Sequence, residues 1–138
     1  MLLASYLDDG DIFVARDGDD VLGHLQLVAT DDADTLEIKN MAVAVERQGS
    51  GIGHALVEHA LQHARLGGAT RVLVATGTAD VGNLRFYQRL GFRMLSAERD
   101  VFTRAFGYPD GLEVDGIPLR DRVWFDRPTS FESNTHSS

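Results

Sequence analysis

Cysteine is absent from the 138 residues of this sequence. Its absence excludes disulfide scaffolds, thiolate metal sites and cysteine nucleophiles. A chain of this length corresponds to one domain, and it buries enough surface to fold without covalent cross-links. We therefore interpret residues 1–128 as a single domain, and we predict that the polar, serine-rich segment 129–138 is a disordered tail.

Long apolar runs and an excess of basic residues are also absent. No apolar run approaches the roughly 18 residues that a membrane-spanning helix needs, and the first residues lack the basic region of a signal peptide. The formal net charge is −8, whereas a sequence-independent nucleic-acid binder presents a dominant basic face. We expect a soluble, cytoplasmic protein whose partners are neither membranes nor nucleic acids.

The negative charge is concentrated at the start of the chain. Residues 1–37 contain ten acidic residues and one basic residue, whereas residues 38–138 contain 11 acidic and 12 basic residues. One interpretation is that the acidic block provides solubility and turn-forming aspartates. The other is that it forms an acidic entrance for a cationic partner.

The first half of the chain is predicted to form a β-meander. Asp11–Arg16 alternates like a strand, an Asp-Gly turn follows, and Val21–Thr30 is its partner strand. Thr35–Val45 is predicted to be the third strand, and the short apolar segment Leu2–Leu7 the end of a helix.

The second half alternates between helices and strands. Ile52–Leu66 is the clearest helix, because apolar residues recur on one face at helical spacing. Those residues are Leu56, Val57, Ala60, Leu61 and Ala64. The later predicted elements are the strand Arg71–Thr76, the helix Gly82–Leu90, the irregular strand Phe92–Phe102, the loop Gly107–Gly116 and the strand Arg120–Arg127.

A glycine-rich turn, residues 48–53 with the sequence Gln-Gly-Ser-Gly-Ile-Gly, joins a strand to the long helix. Glycines let backbone N–H groups converge on a ligand, and the helix N-terminus adds free N–H groups and a partial positive charge. The pattern favours a phosphate site, preferably for a pyrophosphate. A turn that needs glycine for steric reasons alone is the simpler alternative.

Two nucleotide-binding motifs fit this turn poorly. A P-loop requires Lys-Ser or Lys-Thr after its last glycine, whereas His54-Ala55 follows Gly53. A dinucleotide fingerprint requires a third glycine where Leu56 stands, and an acidic residue after the next strand, which ends at Thr76 without one.

The sequence resembles the GNAT superfamily of acetyl-CoA-dependent N-acetyltransferases. The family signature Q/R-x-x-G-x-G/A corresponds to residues 48–53, and a second feature, Y-x-x-x-G-F, corresponds to Tyr87–Phe92. The resemblance covers about residues 11–127. It implies an α/β fold with a mixed, mostly antiparallel central sheet that splays at the acetyl-CoA site and is flanked by helices.

The resemblance also implies how acetyl-CoA, the co-substrate, would bind. Its pyrophosphate would lie on the glycine turn, and its pantetheine would pair with the end of the preceding strand, in the manner of an added β-strand. The implied pyrophosphate residues are Gln48, Gly49, Ser50, Gly51, Ile52, Gly53 and His54. The implied pantetheine residues are Met41, Ala42 and Val43, with Asn83 on the second helix.

Acetyl transfer to an amine requires a deprotonated amine, a donor to the thioester oxygen and an acid for the leaving thiolate. Tyr87 matches the general-acid tyrosine of the family, and the backbone N–H of Val43 or Ala42 is the family-like oxyanion donor. Glu37 matches a general-base glutamate and lies six residues before Val43, which places both on one strand face by simple alternation. His24 on the neighbouring strand is the other candidate base.

The sequence departs from the family pattern at two points. Asp80 stands where the family often has an asparagine, which is why Asn83 is carried over in its place. The helices that usually precede the second strand are short or missing. His59 and His63 are spaced as a pair of metal ligands would be, but no third ligand is evident, so no metal is expected.

The resemblance leaves several functional questions open. The predicted function is N-acetylation of a primary amine, and a cationic acceptor would suit the acidic block. The alternatives are a non-catalytic acyl-CoA-binding module and a protein that binds a nucleotide or NAD. A homodimer is expected from the late strands, where Val123, Trp124 and Phe125 either form the interface or belong to the core.

Overall fold

The computed structural model describes residues 2–7 and 10–130. The described chain forms two compact units. Unit 1 contains the residues up to Val72 together with residues 128–130, and unit 2 contains Leu73–Arg127. The single domain that the chain length indicates remains a prediction, and residues 131–138 of the predicted tail lie outside the described residues.

Unit 1 is built on an antiparallel meander in which each strand pairs with the next in chain order. The strands are β1 (Leu2–Leu7), β2 (Gly10–Asp17), β3 (Asp20–Ala29) and β4 (Thr35–Val43). The turn between β2 and β3 places Gly18 at φ 62°, the left-handed conformation that an Asp-Gly hairpin turn requires. The predicted meander is confirmed, although its last strand ends at Val43 because a 3₁₀ turn, Val45–Arg47, follows.

The prediction for the first residues was wrong. Leu2–Leu7 is a strand, β1, and it pairs with β2 over its whole length, with Leu3 opposite Val14. A six-residue apolar segment has no clear periodicity, so the choice between helix and strand depends on the available partner. The edge of β2 supplies backbone hydrogen-bonding groups to β1, and this pairing decides the conformation.

Helix α1 (Ile52–Leu66) has the predicted bounds and buries the predicted stripe. Its buried residues are Leu56, Val57, Ala60, Leu61 and Ala64. This stripe lies against β2, β3 and β4. Because burying one Leu or Val side chain stabilises the fold by roughly 1.5–3 kcal/mol, packing rather than helix propensity holds α1 in place.

Unit 2 contains a second helix and the later strands. Its elements are β5 (Arg71–Gly77, which begins in unit 1), α2 (Val81–Arg89), β6 (Arg93–Glu98), the short hairpin β7 (Glu113–Val114) with β8 (Ile117–Pro118), and β9 (Arg122–Pro128). Strand β9 lies between β5 and β6 and is antiparallel to β6. The fold class, mixed α/β with mostly antiparallel strands, is therefore as predicted.

Two segments of unit 2 differ from their predictions. The strand expected over Phe92–Phe102 ends at Glu98, and Asp100 then adopts φ 60°, which stops regular pairing. The segment Gly107–Gly116, predicted as a loop, includes strand β7, whose hairpin with β8 turns at Asp115 with φ 50°.

Thr129 belonged to the predicted tail, yet it is buried in unit 1. Its hydroxyl donates to the Ala69 carbonyl at 2.9 Å, and its backbone N–H donates to the Thr70 carbonyl at 3.0 Å. Thr129 is 8% exposed, so the chain is anchored one residue after β9.

Candidate active site

The end of β4 carries several of the predicted site residues, and a β-bulge changes their arrangement. Ile38 lies opposite Leu27 and Asn40 lies opposite Gln26, so Lys39 is an extra residue on β4. An extra residue reverses the alternation of side chains beyond it. The inference that Glu37 and Val43 share a strand face is therefore wrong.

The two candidate bases lie on one face of the meander. Glu37 on β4 is opposite Val28 on β3. His24 also lies on β3, four residues before Val28, so its side chain is on the same face as that of Val28. The face that carries Leu25 and Leu27 is buried, so Glu37 and His24 lie on the other face. Val28 and His24 are four residues apart, about 13 Å along an extended strand, so a single reacting nitrogen has only one of the two candidate bases beside it.

The glycine turn has the backbone conformation that only glycine adopts easily. Gly49 has φ 84° and Gly51 has φ 90°, and a Cβ atom at either position would meet nothing within 4 Å. The glycines are thus required by conformation rather than by close packing. The Ser50 N–H donates to the Arg47 carbonyl at 3.2 Å, and the Ser50 hydroxyl donates to the same oxygen.

The first turn of α1 presents backbone N–H groups without a side-chain cap. Gly51 is the N-cap residue in the left-handed conformation, and no side chain caps the helix. The first hydrogen bond of the helix runs from the Ala55 N–H to the Gly51 carbonyl, at 3.0 Å. The N–H groups of Ile52, Gly53 and His54 come before it and therefore have no acceptor within the helix. Such a terminus favours an anion, because the N–H groups and the helix dipole both attract negative charge.

A side chain of the turn is bound to the end of β4. Gln48 donates through Nε2 to the carbonyl of Val43 at 3.3 Å. This contact joins the predicted pyrophosphate residues to the predicted pantetheine residues Met41, Ala42 and Val43. The His54 side chain is exposed and lies 3.6 Å from Glu58.

Tyr87 is buried in unit 2 among aromatic rings. The residue is 4% exposed, and its ring packs edge-on against Phe86 and Phe92. Burial, and secondarily the negative charge of Asp80, raise the pKa of Tyr87 to about 12. No described residue forms a hydrogen bond with its hydroxyl. The hydroxyl oxygen is not completely buried, because it is absent from the buried polar atoms that lack a partner.

The N-terminus of α2 shows the structural role of Asp80, which stands where the family often has an asparagine. The Asp80 carboxylate accepts a hydrogen bond from the Asn83 N–H at 3.0 Å and caps the helix. The Asn83 amide donates to the Thr76 hydroxyl oxygen at 3.3 Å. Asn83 is one helical turn before Tyr87, so both lie on the same face of α2.

The remaining histidines of α1 have structural partners. The Nε2 atom of His63 lies 2.7 Å from a carboxylate oxygen of Asp11, and the rings of His59 and His63 both pack edge-on against Phe13. Within residues 10–130, no three His, Asp or Glu side chains are arranged to hold a metal ion. Some acidic residues of segment 1–37 thus have partners within unit 1: Asp11 lies beside His63, and Asp17 lies 4.0 Å from Arg47.

A concave surface on α2 was not foreseen from the sequence. An open groove of about 520 Å³ lies along this helix. Its lining residues are Val81, Leu84, Arg85, Gln88 and Arg89. The two arginines make the groove basic, and their spacing of four residues on a predicted helix would have indicated a shared face.

Comparisons with known proteins show which family the chain belongs to. The family model described as Acetyltransferase (GNAT) family matches residues 3–92. The chain belongs to this family. As a GNAT member it is an acetyltransferase with the mixed α/β GNAT fold. This GNAT chain is 34% identical over 122 residues to the uncharacterised N-acetyltransferase YvbK of Bacillus subtilis, a match that covers 88% of this chain and 77% of that protein.

Two solved structures are similar to this GNAT chain. The IAA acetyltransferase from Bacillus cereus is 36% identical with a TM-score of 0.80, over 89% of this chain and 80% of that one. A Bacillus subtilis acetyltransferase in complex with CoA is 33% identical with a TM-score of 0.81, over 89% and 79%. Neither helix in the described part of the GNAT chain is long and apolar enough to cross a membrane. The cytoplasmic location remains a prediction.

Proposed function

We propose that this GNAT protein transfers the acetyl group of acetyl-CoA to a primary amine by direct attack of the amine on the thioester. The observation that carries the proposal is the hydrogen bond from Gln48 to the carbonyl of Val43. It joins an uncapped helix N-terminus, suited to a pyrophosphate, to a strand end suited to pantetheine. The similar Bacillus subtilis structure, which contains CoA, supports this choice of coenzyme.

The coenzyme residues are those of the sequence prediction. Residues 48–54 would hold the pyrophosphate, Met41, Ala42 and Val43 would hold the pantetheine, and Asn83 would contribute from α2. The proposed chemistry requires no metal and no covalent enzyme intermediate. The amine nitrogen attacks the carbonyl carbon, the C–S bond breaks, the sulfur leaves with the electron pair, and the amine loses a proton to a base. A backbone N–H of Val43 or Ala42 would donate to the developing oxyanion.

Tyr87 is the proposed general acid. A thiol has a pKa of about 8.5, so complete proton transfer from a phenol of pKa about 12 is uphill by roughly 5 kcal/mol. Tyr87 would therefore act mainly by hydrogen bonding to the leaving sulfur, and its raised pKa keeps the donor proton in place at neutral pH. The hydroxyl has no competing partner among the described residues, which is consistent with this role.

Glu37 is the proposed base, and His24 is the alternative. Both are half-buried on the same face of the meander. Because their positions are about 13 Å apart along the strand, the proposal commits to one of them. Glu37 is the choice that the family resemblance supports, and a cationic amine would also be attracted to its carboxylate.

The function is tested with the purified chain, acetyl-CoA and a panel of amines. The panel contains a polyamine, an aminoglycoside, a lysine peptide, a neutral monoamine and an amino acid. Release of free CoA thiol is measured together with the mass of the acetylated product. We expect transfer to at least one amine, with cationic acceptors preferred. Binding of acetyl-CoA without any transfer would instead indicate a coenzyme-binding module, and preference for neutral or anionic acceptors would overturn the proposed acceptor charge.

The proposed homodimer forms through β6 rather than through Val123, Trp124 and Phe125. Val123 and Phe125 are buried in unit 2, whereas every residue of β6 is exposed, with Met94 at 56% and Leu95 at 50%. Strand β6 is also the last strand of the sheet order.

A second copy paired antiparallel with β6 along the full length of the strand would place Arg93 opposite the partner subunit's Glu98. The pKa of Glu98 is lowered by a hydrogen bond from Trp124 and by Arg122, so its carboxylate stays charged for such a pair. Sedimentation should show a dimer for the unaltered chain and for Arg99→Glu, and a monomer for Arg93→Glu. A monomeric unaltered chain would refute the dimer.

A further inference from the structure

Gly23 occupies a crowded position in unit 1. It lies on β3 with Val43 as its partner on β4, and it is buried. A Cβ atom at Gly23 would be 2.9 Å from the Ala42 carbonyl oxygen, 3.2 Å from Cδ1 of Leu56 and 3.4 Å from Cγ2 of Ile52. The strand end and the first turns of α1 therefore both approach the backbone of Gly23 directly.

Conformation does not explain this glycine. Gly23 is not among the residues with positive φ, so any residue could adopt its backbone conformation. Gly49 and Gly51 show the opposite combination, since they have positive φ and no neighbours within 4 Å of an added Cβ. The turn glycines are thus required by their own dihedral angles, and Gly23 is required by what packs on it.

The neighbours of Gly23 belong to both parts of the proposed coenzyme site. Ala42 belongs to the strand end that would hold the pantetheine and the thioester oxygen. Ile52 opens the helix whose N-terminus would hold the pyrophosphate. The atom closest to a new methyl group is a backbone oxygen, which cannot rotate away, so the strand end or the helix would have to move.

Two hydrogen bonds would transmit such a displacement to the rest of the site. The Ala44 N–H donates to the Leu22 carbonyl at 2.8 Å and holds the residue after β4 against β3. Gln48 Nε2 donates to the Val43 carbonyl at 3.3 Å and holds the glycine turn against β4. Strand end, glycine turn and helix therefore meet around one position on β3.

We propose that Gly23 is a positioning residue that sets the spacing between the first turn of α1 and the end of β4. By this spacing it keeps the pyrophosphate-binding and thioester-binding parts of the coenzyme site in register. The inference rests on the proposed function, because it assigns these two roles to the two parts of unit 1. Gly23 has no side chain with which to bind coenzyme or acceptor, so its role is exerted through Ala42 and Ile52.

The test compares acetyl-CoA with S-acetyl-pantetheine, a donor that lacks the pyrophosphate and the nucleotide. In the unaltered enzyme, kcat/KM should be higher for acetyl-CoA because both parts of the site contribute. The donor ratio is kcat/KM for acetyl-CoA divided by kcat/KM for S-acetyl-pantetheine. In Gly23→Ala this ratio should fall at least roughly tenfold, since a misplacement of about 1 Å is enough for such a loss. The KM for the amine should stay within about twofold, because the acceptor does not touch this contact.

A matched control is Gly67→Ala at the other end of α1. A Cβ there would be 3.5 Å from the His63 carbonyl oxygen, an ordinary contact, and Gly67 has φ −84°. This variant should keep the donor ratio of the unaltered enzyme. Thermal melting of both variants reports on folding. If Gly23→Ala does not fold, Gly23→Ala/Leu56→Val replaces it. Valine lacks the Cδ1 atom that would lie 3.2 Å from the new methyl group, whereas the contact with the Ala42 carbonyl oxygen, on which the inference depends, remains.

The outcomes separate the inference from the function on which it rests. If the unaltered chain neither binds CoA nor transfers acetyl groups, the proposed function fails. If the unaltered chain is active and Gly23→Ala slows both donors equally, the positioning role is refuted and Gly23 serves stability alone. A similar fall of the ratio in Gly67→Ala would also refute it. A selective loss with acetyl-CoA in Gly23→Ala alone supports the inference.

Discussion

Gln48 donates a hydrogen bond through Nε2 to the backbone carbonyl of Val43, at 3.3 Å, and so binds the glycine turn to the last residue of β4. The contact is exposed, so its contribution to global stability is small. Its consequence is local, because it restrains the two segments that are proposed to hold the two ends of one coenzyme.

The Gln48→Ala variant tests the importance of that restraint. We expect the KM for acetyl-CoA to rise roughly 5- to 20-fold, equivalent to about 1–2 kcal/mol, with a melting temperature close to that of the unaltered chain. Steady-state kinetics and thermal melting measure the two effects. Gln88→Ala, which removes an exposed glutamine of α2, is the control. An unchanged KM in Gln48→Ala would contradict the restraint.

Replacing Tyr87 tests the proposed acid. Tyr87→Phe keeps the ring that packs against Phe92 and removes only the hydroxyl. We expect kcat to fall roughly 10- to 100-fold, with little change in the binding of acetyl-CoA, because a hydrogen bond to the leaving sulfur forms mainly as the C–S bond breaks. Tyr108→Phe, which alters the tyrosine between β6 and β7, should leave kcat unchanged. Equal kcat values for Tyr87→Phe and the unaltered enzyme would refute the role.

The raised pKa of Tyr87 predicts a loss of stability at alkaline pH. The folded pKa is about 12 and the ordinary value is 10.0, so the stabilisation is complete below pH 10 and is lost as the pH rises toward 12. At pH 11 the loss should be about 1.4 kcal/mol. Denaturant unfolding at pH 8 and pH 11 measures it.

Two variants serve as controls for the alkaline experiment. Tyr87→Phe should lose this part of the pH dependence, because it has no phenol to ionise. Asp80→Asn should lower the pKa of Tyr87 only part of the way, because burial is the larger cause, and Asn caps a helix about as well as Asp. The same alkaline loss in Tyr87→Phe as in the unaltered chain would show that another group is responsible.

The choice between the two candidate bases has a direct test. Glu37→Gln should reduce kcat/KM roughly 100-fold or more, because glutamine cannot accept the proton that the amine loses. His24→Asn should reduce it less than about threefold, because His24 is about 13 Å from the position of Glu37 along the strand. The reverse order of effects would make His24 the base. A multiply charged acceptor should lose more than a monoamine in Glu37→Gln if the carboxylate also attracts the substrate.

The contact between His63 and Asp11 is expected to support folding rather than activity. The 2.7 Å contact joins α1 to β2 in a partly buried position. Asp11→Ala should therefore lower the free energy of unfolding by roughly 1–3 kcal/mol, because it leaves His63 without its partner. The kinetic constants for acetyl-CoA should change little at a temperature where the variant is folded. A large rise in the KM for acetyl-CoA would instead connect this contact to the coenzyme site.

Local patterns were sufficient for some elements. The bounds of α1 and its five buried residues followed from helical periodicity, and the hairpin between β2 and β3 followed from an Asp-Gly turn. Residues 48–53 identified the family because a turn built from glycines at fixed spacing has a backbone requirement that is written in the sequence itself. These features depend on neighbours only a few residues away.

Other features depend on partners far away in the chain, and only the tertiary structure decided them. Leu2–Leu7 is a strand because β2 offers it an edge. The bulge at Lys39, which separates the faces of Glu37 and Val43, depends on how β4 aligns with β3. The crowding at Gly23 arises where β3, β4 and α1 meet, and a glycine within a strand indicated no more than an irregularity or a close approach. Sequence alone thus determined the family and the chemistry of the turn, whereas the register between strands decided which residues face one another.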